Sequence, residues 1–208
     1  MGTGGNVRFL STQFRCVGID VEPDAVELAR TRGASGTYLL GDALTEHAHH
    51  VAGADVVLLL DVLEHIEGDR AFLSGLVQRM KPGAHLIMTV PADPRLWSPH
   101  DGSHHHFRRY TTATLPPVWH DLPIHCRLLT PFNARLFPLI FLARSISRRR
   151  GKALGQASSD LSMPAPVINR ALEAVFYGES SRIQRVLLGR AAPYSQGVSL
   201  MAVLQRVP

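Results

Sequence analysis

Through the first half of the chain, short continuous apolar runs alternate with stretches whose apolar positions recur every three to four residues. Cys16 to Asp20, Thr37 to Leu40, Ala54 to Leu60 and His85 to Val90 have strand length. Between them, Glu22 to Arg32 and Gly68 to Met80 carry helical spacing, with Phe72, Leu73, Leu76, Val77 and Met80 forming one face of the second. The punctuation agrees: Pro23 suits a first helical turn, Glu22, Asp24 and Glu27 suit its dipole, Gly33 suits its end, and Lys81-Pro82-Gly83 stops the next helix. Alternation of this kind predicts parallel crossovers and a doubly wound sheet, in which Ala54 to Leu60 should be buried on both faces. Asn6 to Arg15 also has helical character, and it follows Gly2, Gly4 and Gly5.

The second half is less regular. Thr111 to His120 begins like a helix but meets Pro116-Pro117, Ile124 to Leu129 reads as a strand, and Gly197 to Arg206 alternates into a final strand. Val167 to Phe176 and Ser180 to Leu188 read as two short helices, and Gly151 to Ser162 as a linker rich in glycine, serine and alanine. Phe132 to Arg150 combines eight apolar residues, Leu136 to Ala143, with Arg144, Arg148, Arg149, Arg150 and Lys152 behind them. Such a segment is either a core helix with a basic last turn or one that lies at an anionic membrane interface, a candidate peripheral contact over residues 132–152.

With 208 residues, of which 45% are hydrophobic and 19% charged, the chain can bury one sizeable core and is not a disordered composition. We read 1–208 as a single domain, with residues 1–111 as core and site loop, 131–195 as a helical insertion or cap, and 197–206 as the last edge strand. The net charge of +5 conceals an asymmetry: residues 1–110 hold 10 Lys/Arg and 13 Asp/Glu, the remainder 12 and 4. Only Lys81 and Lys152 are lysine, a bias that points to a GC-rich bacterial genome. Aromatic and basic residues are not interleaved and the front half is acidic, so no nucleic-acid partner is expected. Cys16 and Cys126 lack a C-x-x-C pairing and sit in strand-like runs, which suggests two buried reduced thiols. No signal peptide is visible and no apolar run approaches the roughly 20 residues of a membrane span, so the expected location is cytoplasmic or membrane-peripheral.

Gly2, Gly4 and Gly5 before a helix, with Asp20 ending the next strand, have the order of a nucleotide-binding unit. Glycines let backbone approach a ligand, and a carboxylate beyond the strand can hydrogen-bond two ribose hydroxyls. Together with Gly41-Asp42-Ala43, Asp61-Val62-Leu63-Glu64-His65 and Lys81-Pro82-Gly83, these motifs resemble the class I S-adenosylmethionine-dependent methyltransferases, in particular the small-molecule group that includes the quinone-biosynthesis enzymes. The resemblance covers residues 1 to 111 and the last strand. It implies an α/β, Rossmann-like, mostly parallel sheet with an antiparallel edge strand, and S-adenosyl-L-methionine as cofactor. On it, Gly2, Gly4 and Gly5 would cradle the methionine end, Asp20 with Val21 the ribose, Asp42 with Ala43 the adenine, and Leu60 and Asp61 the amino-acid moiety. Read from the residues alone, Asp42 could equally start a turn. In the family a strand ending in an acidic residue and another glycine precedes the glycine loop, whereas Met1 stands here where the loop is half formed. The sequence thus reads as a longer protein started late, without its first central strand, and is expected to fold poorly or bind cofactor weakly.

Pro91 to Tyr110 has no periodicity and concentrates reactive groups, as substrate loops do. In the resembled group a similar Trp-Ser-x-His-Asp and His-x-Arg-Arg-Tyr-Thr recur here. That points to substrate contacts at Trp97, His100, Arg108, Arg109 and Tyr110; if the nucleophile is a hydroxyl, a histidine can take its proton, with His106 or His65 as the catalytic candidate. Metal sites at His47, His49 and His50, or at His104, His105 and His106, are weighed and not adopted, because sequence neighbours rarely point at one ion. The expected activity is methyl transfer to oxygen, nitrogen or carbon of a small or lipid-linked acceptor. A nicotinamide-dependent dehydrogenase, without an evident Tyr-x-x-x-Lys pair, and a non-catalytic binding protein are the rivals.

Overall fold

A computed structural model describes residues 1–32, 36–150 and 166–208. The expected linker 151–162 lies outside them. Two ladders carry the fold. In the first, β1 (Val17–Asp20) pairs in parallel with β2 (Thr37–Leu40), Val17 opposite Thr37 and Asp20 opposite Leu40. Helices α1 (Gly5–Leu10) and α2 (Pro23–Thr31) cover it, and Val7, Val26, Ala29 and Tyr38 close a small apolar cluster with Met1 and Cys16 packed against it. Helix α1 is shorter than the stretch to Arg15 suggested. Gly4 precedes it at φ 80°, and a Cβ there would stand 2.7 Å from the Ala29 Cβ and 3.0 Å from the Tyr38 ring, so only glycine lets the loop and α2 approach.

The chain then runs through α3 (Ala48–Gly53) to the second ladder, ordered β3 (Val56–Leu60), β4 (His85–Pro91), β6 (Ser199–Arg206), β5 (Ile124–Phe132). β3 and β4 are parallel, while β6 runs antiparallel to both β4 and β5, giving the antiparallel strand that the sequence anticipates at this side of the sheet. Helix α4 (Asp69–Arg79) buries Leu73, Leu76 and Val77 in the same core cluster as Leu86, Met88 and Val90 of β4 and Leu200, Ala202 and Leu204 of β6. Each such side chain contributes roughly 1.5–3 kcal/mol by leaving water, so this packing dominates the stability of the larger half. The turn after α4 is locked by Gly83, at φ 84°, whose N–H donates to the Arg206 carbonyl at 2.8 Å.

Two expectations change. Among the described residues no strand pairs with the second edge of β1 or of β3, so the strands form two separate ladders. β3 is consequently not buried on both faces: Val56 is 49% and Leu58 37% exposed, and only Leu59 of that strand is buried. Cys126 is also exposed rather than buried, because it sits on the outer strand β5 just before a register shift between Cys126 and Leu128; both cysteines are free.

Between β5 and β6 lie α6 (Phe137–Arg150) and α7 (Pro166–Leu187). α7 is one helix of 22 residues where two were expected. Gly178 and Ser180 suggest a break, but Glu179 is buried and accepts the Arg135 backbone N–H at 2.8 Å, while the Arg135 guanidinium covers Gly178 and donates to its carbonyl at 3.0 Å. Instead of a helix, Thr111 to His120 forms turns and one short 3-10 segment, Pro116–Val118. No helix among the described residues is long and apolar enough to cross a membrane.

Candidate functional site

The loop after β4 is tied shut at its base. Tyr110 N–H donates to the Pro91 carbonyl, Asp93 N–H to the Tyr110 carbonyl, and Ala92 bridges Tyr110. Inside this closure lie a 3-10 turn, Pro94–Leu96, with Leu96 wholly buried, and the short helix α5 (Pro99–Ser103). Phe107 N–H donates to the Glu64 carbonyl at 2.8 Å, which brings the loop against the 3-10 turn Leu63–His65 that follows β3. The result is a cavity of about 340 Å³ lined by Asp61, Glu64, His65, Pro91, His104, His106, Arg109, Arg144, Val198 and Ser199. It opens where the parallel strands β3 and β4 end, the edge at which open α/β sheets receive ligands.

Its polar groups are tightly arranged. Asp101 is fully buried: Oδ1 accepts from Arg109 Nε at 2.7 Å and faces His106 Nδ1 at 3.2 Å, while Oδ2 accepts from Ser98 N–H at 2.9 Å and the Ser98 hydroxyl at 3.1 Å. Arg144, from α6, stands 3.5 Å from Asp101 Oδ2 and donates to the Leu96 carbonyl at 2.5 Å. Burial pushes the Asp101 carboxyl upward, but the bond and charge of Arg109, the Ser98 N–H and the charge of Arg144 outweigh it and hold it below the usual carboxylate range. His106 is held below the ordinary imidazole value, by burial first and by the His65 and Arg109 charges next, against the raising effect of Asp101. It is therefore neutral near pH 7 and able to accept a proton. Its ring meets that of His65 edge-on at 4.6 Å.

Glu64 is the exception to this pairing. Its side chain is completely buried, and neither carboxylate oxygen has a hydrogen-bond partner. Burial, reinforced by the Asp61 and Asp101 charges, pushes its carboxyl up to about 8, so it is protonated at neutral pH and can donate a hydrogen bond. Asp61 is exposed at the mouth and takes a left-handed conformation, φ 52°, fixed by its N–H on the Thr89 carbonyl at 3.0 Å. Desolvation raises the Asp61 carboxyl too, against a hydrogen bond from Thr89 and the charges of His106 and His65, but only Glu64 is lifted as far as about 8. Glu64, His65 and His106 present ligand atoms within 4.8 Å of one another, a spacing that a divalent cation could bridge.

Asp61, His65, His106 and Arg109, all candidates from the sequence, thus meet in one cavity. Arg108 and Tyr110 do not line it: Arg108 pairs with Asp69 at 2.6 Å, and the Tyr110 hydroxyl donates to Asp69 at 2.7 Å. They bind the loop to the start of α4. Trp97 is exposed outside the cavity lining, and His100 lies in α5 with its side chain outside the described set. Glu64, Asp101 and Arg144 were not singled out as site residues by the sequence. Glu64 sits three residues after Asp61 in the Asp61-Val62-Leu63-Glu64-His65 motif, and Asp101 beside His100, whereas Arg144 stood out only as the first of a run of cations read as a basic helix end or a membrane contact.

The remaining candidates are not in that lining; apart from Leu60, which ends β3, they belong to the first ladder and the turn that follows it. Asp20, at the end of β1, accepts at Oδ2 from the Met1 amine at 2.9 Å and Gly2 N–H at 2.8 Å, and at Oδ1 from Glu22 N–H at 3.1 Å. Burial raises its carboxyl, and these donors more than reverse the effect. Oδ2 is filled by two donors while Oδ1 keeps a lone pair for a sugar hydroxyl, and Gly2 and Gly4 both hold the left-handed backbone that a close approach requires, so these residues fit a nucleoside. Val21 is exposed beside Asp20; Gly5 opens α1; Leu60 ends β3. Asp42 is exposed, with Oδ1 accepting Leu44 N–H at 2.5 Å in the turn after β2, while Ala43 packs against the main core. The turn reading of Asp42 therefore describes its present contact.

A methyltransferase-domain family model matches residues 1–86. The mitochondrial ubiquinone biosynthesis O-methyltransferase of Schizosaccharomyces pombe is 32% identical over 102 residues, 43% of this chain and 36% of that protein, so the chain spans little more than a third of that relative's length. Among solved structures, a SAM-dependent methyltransferase from Archaeoglobus fulgidus superposes with a TM-score of 0.56 at 13% identity, covering 98% of this chain and 82% of that one. A phosphoethanolamine N-methyltransferase from Haemonchus contortus, in complex with S-adenosyl-L-methionine, gives 0.55 at 15% identity, covering 100% and 47%. The motif order, the site at the strand ends and these matches agree on one point: residues 1–86 match a methyltransferase domain, and the fold is that of solved S-adenosylmethionine-dependent methyltransferases.

Proposed function

We propose that this protein binds S-adenosyl-L-methionine through Gly2, Gly4, Gly5 and Asp20 and transfers its methyl group to a nucleophilic oxygen, nitrogen or carbon of a small or lipid-linked acceptor. The cofactor supplies a methyl carbon already activated by a sulfonium, so the protein has to hold the nucleophile in line and keep water out. The observation that carries this reading is the polar cavity after β3 and β4, where neutral His106 and buried Glu64 face the same space. For a hydroxyl acceptor, His106 takes the proton and Glu64 donates a hydrogen bond to the acceptor.

Calorimetric titration of the protein with S-adenosylhomocysteine and, separately, NAD tests the reading. Saturable binding of the first and none of the second supports it. The reverse result would make the protein a dehydrogenase, and binding of neither would leave a non-catalytic fold.

A lipid-linked acceptor is favoured by one feature. α6 exposes Leu139, Leu142 and Ile146 at helical spacing while its Arg144 turns toward the site, and the same helix runs on through Arg148 to Arg150. An exposed apolar stripe on a helix whose sequence ends in cations suits an anionic membrane surface, next to the cavity that would take the acceptor.

A further inference from the structure

We propose that Asp101 is the positioning residue of this site: it fixes His106 as the Nδ1–H tautomer and leaves Nε2 as the atom that receives the acceptor's proton. The inference rests on the methyl-transfer reading above and adds the group that prepares the base.

Geometry carries it. Asp101 is wholly buried, yet it is not a generic ion pair, because each oxygen has its own set of partners. Oδ1 lies between Arg109 Nε, at 2.7 Å, and His106 Nδ1, at 3.2 Å. Oδ2 is occupied by Ser98 N–H and hydroxyl, with Arg144 at 3.5 Å. A carboxylate with this many donors stays ionised, and an ionised oxygen can only accept, so the ring nitrogen facing it must carry the hydrogen. The backbone repeats the constraint: His106 N–H donates to the Asp101 carbonyl at 2.9 Å, so the ring is anchored to the same residue twice. His105, immediately before, takes φ 57°, a conformation that costs of order 1 kcal/mol or more and is retained where a neighbouring side chain is aimed.

Glu64, Asp61, His65, His104, Arg109 and Arg144 line the same cavity as the ring, and of these Arg109 and Arg144 also stand against Asp101. When the acceptor oxygen attacks, its lone pair forms the new bond to the methyl carbon and the sulfur–carbon bond breaks, its electron pair remaining on sulfur. The hydroxyl proton passes to Nε2, and the positive charge moves from sulfonium to imidazolium, where Asp101 faces it. The buried Arg109 partner keeps Asp101 from taking the proton itself. Among the described residues no ionised carboxylate is paired with His65, its near neighbour Glu64 being protonated, which favours His106 as the base between the two sequence candidates.

Nitrogen-15 spectroscopy of the protein with labelled histidine, with His106 assigned by the spectrum of H106Q, reads the tautomer without any acceptor. The wild type should show His106 predominantly as Nδ1–H; a predominant Nε2–H form overturns the proposal. In D101A the Nδ1–H preference should be lost and the His106 imidazolium pKa should move down, because the raising influence of the carboxylate is gone. An unchanged tautomer in D101A also overturns it, since a merely structural Asp101 would leave the ring as it was. Should D101A fail to fold, the wild-type spectrum decides alone. Titration of the wild type with S-adenosylhomocysteine separates the two readings: absent binding defeats the methyl-transfer assignment, while the tautomer result stands or falls on its own.

Discussion

Replacing Glu64 by glutamine should make the protein more stable at alkaline pH and leave it nearly unchanged at acid pH. The carboxyl titrates near 4.5 in an unfolded chain and at about 8 in the fold. Between these values the unfolded state has released a proton that the folded state still holds, so stability falls as pH rises through the window. A rise from 4.5 to about 8, at about 1.36 kcal/mol per pH unit, amounts to roughly 5 kcal/mol lost across it. Glutamine keeps the shape and hydrogen-bonding capacity of the protonated acid and cannot ionise. Urea unfolding of wild type and E64Q at pH 5, 6, 7, 8 and 9, without cofactor, measures the difference directly. At roughly 2–3 kcal/mol per molar urea, the two midpoints should separate by about 2 M between the ends of the series. A constant separation would refute the reasoning, because it would mean that Glu64 is solvated or paired in the folded protein.

Asp20→Ala should weaken S-adenosylhomocysteine binding at least about 10-fold, since a charged acceptor for the sugar hydroxyls is lost; calorimetry with circular dichroism as a folding control reads it. Gly4→Ala should cost about 2–3 kcal/mol, combining the left-handed φ of 80° with a Cβ 2.7 Å from that of Ala29, and thermal unfolding should record a Tm lower by roughly 4–10 °C. L139E/L142E should reduce cosedimentation with phosphatidylserine-containing vesicles by about 10-fold or more while sparing S-adenosylhomocysteine binding, and equal binding of variant and wild type would remove α6 from any membrane contact.

Much of the larger ladder was legible because local signals agreed with packing. Asp69–Arg79 carries its apolar face and its Lys81-Pro82-Gly83 stop in one short stretch, and His85–Pro91 is apolar almost throughout. The errors arose where long-range contacts decided the outcome. Nothing in Val56–Leu60 itself says that one of its edges lacks a partner, yet that sets its exposure. The continuity of α7 across Gly178 depends on Arg135, 43 residues away in sequence. The site divides in the same way: Asp61 and His65 follow from their place after a strand, whereas the part played by Asp101 follows only from Arg109, Ser98 and Arg144 converging on it, and Arg144 arrives from a helix that the sequence offered to the core or to a lipid surface.

That arrival couples two properties that would otherwise vary independently. A change along α6 made to alter how the protein meets its surroundings also shifts a cation resting on the carboxylate behind the proton-accepting ring. Exchanging the segment between β5 and β6 for a relative's would therefore change acid–base behaviour at a point where no substituted atom touches the acceptor.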